Sequence, residues 1–212
     1  MHTLRLVRHQ ARLGPHTFTV FRPARTPARA LLLDAGWFLN ARFGREAAEL
    51  TAGLWALAAA SPRALVHLPI RANAAADGGT GGRPLDLVLL HHSLQFAPSR
   101  WKELRGRLGP GRPRTVDLRE ARADRAERMD RHDWANREVF RQHVHGDTLF
   151  LTGSARTFRR TSGLFADLAR NGPAQAAAFP DSHYCQRLYC GPRDRDLHIE
   201  YSADVPVTGF AG

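Results

Sequence analysis

Hydrophobic and polar letters alternate at period two through "TLRLVRH" and "HTFTVFRP", on either side of the turn letters "ARLGP". That pattern predicts two half-buried strands joined as a hairpin. After the proline-rich "RPARTPAR", the segment "ALLLDAG" at 30–36 is a short apolar strand ending in Asp34 and Gly36. Residues 44–61 then repeat apolar positions at three and four, with Ala47, Leu50, Leu54 and Leu57 on one stripe, which predicts a helix. Further strands are expected at 63–70 and 85–91, with a glycine-rich loop at 71–84 between them. Ser99 can cap a helix ending near Gly109, "RTVDL" at 114–118 is a fifth short strand, and the polar stretch 119–145 reads as helix. A strand at 147–153, a helix at 156–170 closed by Asn171 and Gly172, and a strand at 197–205 complete the chain.

Strands that are apolar throughout and separated by helices predict a parallel sheet covered on both faces. The expected class is therefore α/β, a doubly wound and mainly parallel sheet with helices on both faces, preceded by an N-terminal β-hairpin. Residues 1–29 form the hairpin arm and residues 30–212 one α/β domain, since 212 residues with 43% hydrophobic letters supply one sizeable core. In such a sheet ligands bind beyond the carboxyl ends of the strands, so Asp34, His91, His92 and the turn at 152–156 are expected on one rim.

Charge changes the picture most. The chain holds 31 Lys plus Arg against 20 Asp plus Glu, a net charge of +11, and Lys102 is its one lysine. The surplus is concentrated: residues 1–29 carry six Arg and no acid, and 100–160 carry sixteen bases against nine acids. Such a surplus favours an anionic partner, nucleic acid among them. Apolar runs are far shorter than the roughly 20 residues of a membrane span, and the N-terminus has no signal-like core, so no membrane partner and a cytoplasmic location are expected. Cys185 and Cys190 are then expected to stay reduced.

The opening residues of "LDLVLLHHSLQFAPSRWKELRGRLGPGRPRTVDL" (85–118) are an acid leading an apolar strand with polar letters at its end, and a helix, a "LGPG" turn and a strand ending in Asp follow. Together with "LLLDAG" at 31–36 and the helix at 44–60, this resembles class I S-adenosylmethionine-dependent methyltransferases over roughly 90 residues. The resemblance implies S-adenosylmethionine as cofactor, with Asp34, Gly36 and Asp86 near it, and His91, His92 and Ser93 at the strand rim positioning an acceptor. The chain departs from the family at the cofactor turn, where Trp37, Phe38 and Leu39 stand in place of a second glycine, and after 63–70, where Arg71 and Asn73 replace the ribose-binding acid. A second resemblance, carried by Asp34 and by "GDTLFLTGSARTFRRTSGLFADLARNG" at 146–172, is to NYN or PIN-type nucleases. Those bind Mg²⁺ or Mn²⁺ through clustered carboxylates. Here Ser154, Ala155 and Arg156 occupy the acidic turn, leaving Asp34 and Asp147.

Each candidate has a plain structural alternative. His91 and His92 are either a general base and its neighbour or a strand end with one ring inside and one outside. His183, Cys185, Cys190 and His198 are zinc-ligand types, yet His-x-Cys-x4-Cys-x7-His is irregular beside the paired spacing of structural zinc sites, so no metal is expected. Arg119, Arg122, Arg125, Arg128 and Arg131 recur every three residues, which sweeps around a helix instead of lining one face, and Asp124, Glu127 and Asp133 stand at pairing distance. The acid-free arm carries the stronger argument for nucleic acid: Arg5, Arg8, Arg12, Arg22, Arg25 and Arg29 are interleaved with Phe18 and Phe21, cations for phosphates beside rings for bases. The two function classes in view are a methyltransferase-like enzyme and a non-catalytic nucleic-acid-binding protein.

Overall fold

The hairpin forms as the alternation predicts, with β1 (Thr3–Leu13) and β2 (His16–Pro23) antiparallel from Leu6 opposite Pro23 to Leu13 opposite His16. Gly14, at φ +62, supplies the left-handed residue the turn requires. This computed structural model describes residues 3–76, 82–117 and 139–203. Beyond the hairpin come β3 (Ala30–Asp34), β4 (Leu39–Phe43), α1 (Arg45–Ala60), β5 (Ala64–Leu68), β6 (Arg83–Pro84), β7 (Asp86–His91) and α2 (Trp101–Gly106). The chain continues through β8 (Arg112–Asp117), β9 (Arg141–His145), β10 (Thr148–Gly153), α3 (Ala155–Ala178), β11 (Cys185–Leu188) and β12 (Leu197–Tyr201).

These strands build two sheets. One runs β8-β1-β2-β5-β7-β10-β9 and the other β11-β12-β4-β3-β6. Three of the ten pairings are parallel: β2 with β5, β7 with β10, and β4 with β12. The doubly wound, mainly parallel sheet expected from the sequence is therefore overturned; the fold is a mixed α/β arrangement of two sheets. The strands β3, β5, β7 and β10 are mostly apolar because both faces of each are covered, and coverage does not require parallel neighbours. α1 and α3 lie against each other and touch both sheets, so Leu87, Leu89, Leu149 and Leu151 of the larger sheet share one core with Leu32, Ala41, Leu197 and Ile199 of the smaller. Trp55 sits at its centre, ringed by Phe140, Phe158 and Phe165, with its indole N–H donated to Thr161 Oγ1 at 3.1 Å. The opposite face of the larger sheet has its own core, where Phe96, Trp101 and Leu104 cover Leu13, Val20, Leu65, Val88, Leu90 and Phe150.

Several boundaries also shift. The polar stretch 119–145 ends in a strand, β9, and the arginine series at 119–131 lies outside the described residues. β4 and β11 arise where no strand was expected. α3 continues to Ala178 through Pro173, because Gly172 serves packing and not termination: a Cβ there would stand 2.5 Å from the Tyr201 ring.

The segments at 30–34 and 85–91 do not lie side by side in one sheet. The chain at 83–84 pairs antiparallel with β3 in the smaller sheet, then crosses into the larger sheet as β7. Asp34 and the twin imidazoles consequently belong to different sheets. Among the described residues no helix is long and apolar enough to cross a membrane.

Candidate nucleic-acid interface

β1 is longer than the helix layer that covers it. Its even-numbered residues begin under the helices, with Leu4 and Leu6 in the shared core, but continue into solvent as Arg8, Gln10 and Arg12. Its odd-numbered residues do the reverse, running from exposed Thr3 and Arg5 to His9, Ala11 and Leu13 beneath the α2 side. The buried face thus changes halfway along an unbroken strand. Directly opposed residues of antiparallel strands share a face, so the exposed even face extends across β8, where Arg112 lies opposite Arg8 and Arg114 opposite Leu6. On the other flank Thr19 opposes Gln10 and Thr17 opposes Arg12. Arg8, Arg12, Arg112 and Arg114 are exposed, and among the described residues no acid shares their face and none of the four has a carboxylate partner; Arg12 Nε donates to the Gly14 carbonyl at 3.1 Å. At about 3.3 Å per residue the row from Arg114 to Arg12 is about 20 Å long.

The remaining arginines of the arm have other roles. Arg22 points to the opposite face, where its Nε donates to His67 Nδ1 at 2.9 Å. Arg5 is exposed on that same side, Arg25 is exposed in the loop after β2, and Arg29 is exposed with its stem against Gly44. Phe18 packs edge-on against Phe96 with centroids 5.3 Å apart, and Phe21 joins the shared core, so these rings serve packing and not base stacking.

His67 belongs to a buried polar cluster under α2. Accepting the Arg22 proton fixes its Nδ1 as unprotonated, and Nε2 faces Asp86 Oδ2 at 3.6 Å. Burial first, then the positive charges of Arg22 and Arg105, hold the imidazole below its ordinary range against the pull of Asp86. Asp86 also accepts the Arg71 backbone N–H at 2.9 Å and lies 3.5 Å from Arg105 Nη1. Burial raises this carboxyl, but His67 and Arg71 outweigh it and the net shift is downward. Arg71 reaches on to Asp147.

The other expected residues separate. Asp34 and Gly36 lie at the end of β3, where Arg195 and Arg83 clamp the carboxylate at 2.5 and 3.1 Å and Gly36 N–H donates to it at 3.0 Å. The Arg195 bond, against some burial, sets that carboxyl down to about 2. Trp37 is 82% exposed beside Phe38, away from any core. His91, His92 and Ser93 end β7: His91 Nδ1 lies 2.7 Å from Ser93 Oγ and accepts Ser93 N–H at 3.2 Å, capping the short turn at His92–Leu94. The Ser93 hydroxyl also reaches Pro62 O at 3.3 Å, and burial followed by the His92 charge lowers His91. A serine and an imidazole are in contact there, but no carboxylate orients the ring among the described residues, and the strand ends in these letters because they cap a turn.

Of the four zinc-type residues, His183, Cys185 and His198 converge, while Cys190 lies apart against Gln142 Nε2 at 3.6 Å. Spacing along the chain could not reveal this, because the convergence comes from β11 pairing with β12 across the smaller sheet. The arginine row was equally hidden, since Arg112 and Arg114 meet Arg8 only through the β1–β8 pairing. No family model, curated protein or solved structure matches the chain.

Proposed function

We propose that the protein is a non-catalytic nucleic-acid-binding protein that holds the phosphate backbone on the open face of β8-β1-β2. The observation that carries this reading is the row of four exposed arginines on one sheet face, with no carboxylate partner and no acid on that face among the described residues, separated by the neutral donors and acceptors Gln10, Thr17 and Thr19. One strand of a DNA duplex carries about six phosphates over the row's length of about 20 Å, so each guanidinium has a phosphate within reach. With Phe18 and Phe21 committed to the cores, the face offers charge and hydrogen bonds without a stacking platform, which favours backbone contact indifferent to sequence. The methyltransferase-like reading needs Asp34 and the His91–His92 pair on one rim of a parallel sheet, and the two belong to different sheets.

The test is a salt titration of binding to a generic DNA duplex. Four phosphate contacts give a log–log slope of about −3.6, and Arg8→Ala with Arg12→Ala, Arg112→Ala and Arg114→Ala should together remove most of it. An unchanged slope in that fourfold variant, or no binding at about 50 mM salt, overturns the reading.

A further inference from the structure

The outer face of the smaller sheet carries a separate constellation. In the β11–β12 pair, Cys185 lies opposite Glu200 and Arg187 opposite His198, so Cys185 and His198 are diagonal neighbours on one face. His183, two residues before Cys185, joins them, and one ligand atom from each of the three lies within 4.8 Å of the others. The two imidazole rings meet edge to face with centroids 5.6 Å apart.

We propose that His183, Cys185 and His198 form a zinc-binding site. Two imidazoles and a thiol are borderline-soft ligands suited to that ion, and tetrahedral bonds of about 2.0 Å to nitrogen and 2.3 Å to sulfur put ligand atoms about 3.3–3.5 Å apart. Closing from the present spread takes about 1 Å of side-chain rotation. His183 and Cys185 are exposed, and among the described residues no side-chain hydrogen bond ties either elsewhere.

A second observation comes from behind His198. Its Nδ1 faces Glu200 Oε2 at 3.7 Å, while Glu200 Oε1 is gripped by Arg42 Nε at 2.6 Å and by Asn40 Nδ2 at 3.4 Å. A carboxylate backing a ligating imidazole is the arrangement that fixes tautomer and ring direction in metal sites, and it leaves Nε2 for the ion. With Glu200 held by Arg42, three protein ligands remain and the fourth position is open to water or an outside ligand. The ion would also cross-link β11, an edge strand, to β12.

Cobalt(II) titration of the full chain tests the assignment, because thiolate ligation gives a near-ultraviolet charge-transfer band. The expected result is about one equivalent bound with that band present, kept in Cys190→Ser and lost in Cys185→Ser, with weaker binding in His198→Ala. Zn²⁺ should also protect Cys185 of the unaltered protein from alkylation, a readout that needs no variant to fold. No band in the unaltered protein, a band that survives Cys185→Ser, a band lost in Cys190→Ser, or no protection by Zn²⁺ overturns the proposal.

Discussion

Removing the Asp86 carboxylate should unfold more of the protein than any change to the exposed arginines, and the size of the effect follows from its contacts. Asp86 is 5% exposed and faces Arg105 and His67 while accepting the Arg71 backbone N–H. Asp86→Ala leaves that donor without its partner, at about 1–3 kcal/mol, and leaves Arg22 and Arg105 without a counter-charge in a partly buried site. Breaking such a pair from one side costs about 3–5 kcal/mol in total. Asp86→Asn keeps an oxygen for the Arg71 N–H and should cost about half as much. Urea denaturation followed by tryptophan fluorescence measures both, with Trp101 reporting locally because its ring meets His67 at 4.9 Å. For a chain of this size about 4 kcal/mol corresponds to a fall in Tm of about 8–16 °C. Neutral His67 adds a pH signature: its folded-state affinity for protons lies below the ordinary value of 6.5, so below that pH the unfolded chain binds the extra proton and stability falls. An Asp86→Ala variant within 1 kcal/mol of the unaltered protein would show the cluster to be solvated and refute the reasoning.

Further outcomes follow from the same packing. Asp34, set down to about 2, contributes stability that is present above its unfolded value of 3.8 and lost as pH falls toward 2; after allowance for screening this is about 1–2 kcal/mol, and Asp34→Asn should flatten the acid limb of the stability curve. Trp55→Ala empties the centre of the shared core and should cost about 3–5 kcal/mol by the same denaturation assay, whereas exposed Trp37→Ala should stay within about 0.5 kcal/mol. Gly153→Ala drives a Cβ to 2.7 Å from the Phe140 ring and should cost about 1–3 kcal/mol. The Cys190 thiol, pushed up to about 12 by burial and by Asp194, should resist alkylation at pH 8 in metal-free folded protein while Cys185 reacts.

Much of the local structure was legible in the letters, and much of the architecture was not. Alternation in 3–23 and apolar runs at 30–34, 64–68, 86–91 and 148–153 marked real strands, because solvent on one face or none leaves a direct imprint on composition. Strand direction leaves no such imprint. β5 and β7 are both buried, mostly apolar strands, yet they run antiparallel, and the chain passes between the two sheets several times, at β2 to β3, β4 to β5, β5 to β6, β6 to β7 and β10 to β11, which no local pattern of letters marks. The site residues divide along the same line. The acid-free arm was visible, but its completion by Arg112 and Arg114 depends on long-range register, and the meeting of His198 with Cys185 depends on a hairpin whose first strand carries only four residues.

Within the arm, face parity assigns different work to arginines that look alike in sequence. Arg22 pairs across the ladder with Val7, an odd position, and so its guanidinium enters the space beneath α2 and meets His67. Arg8 and Arg12 occupy even positions past the end of the helix layer and are exposed, Arg12 with one bond to the Gly14 carbonyl of its own turn. Arg22→Ala should therefore lower stability by about 1–3 kcal/mol, through the lost charge-assisted hydrogen bond and the unpaired His67 nitrogen, and leave the salt slope of duplex binding unchanged. Arg8→Ala should do the opposite, moving stability by less than about 0.5 kcal/mol and reducing the slope by about 0.9. Measuring both quantities on both variants separates a surface that binds from a protein that is merely basic, since bulk charge would make the two substitutions equivalent in the binding assay.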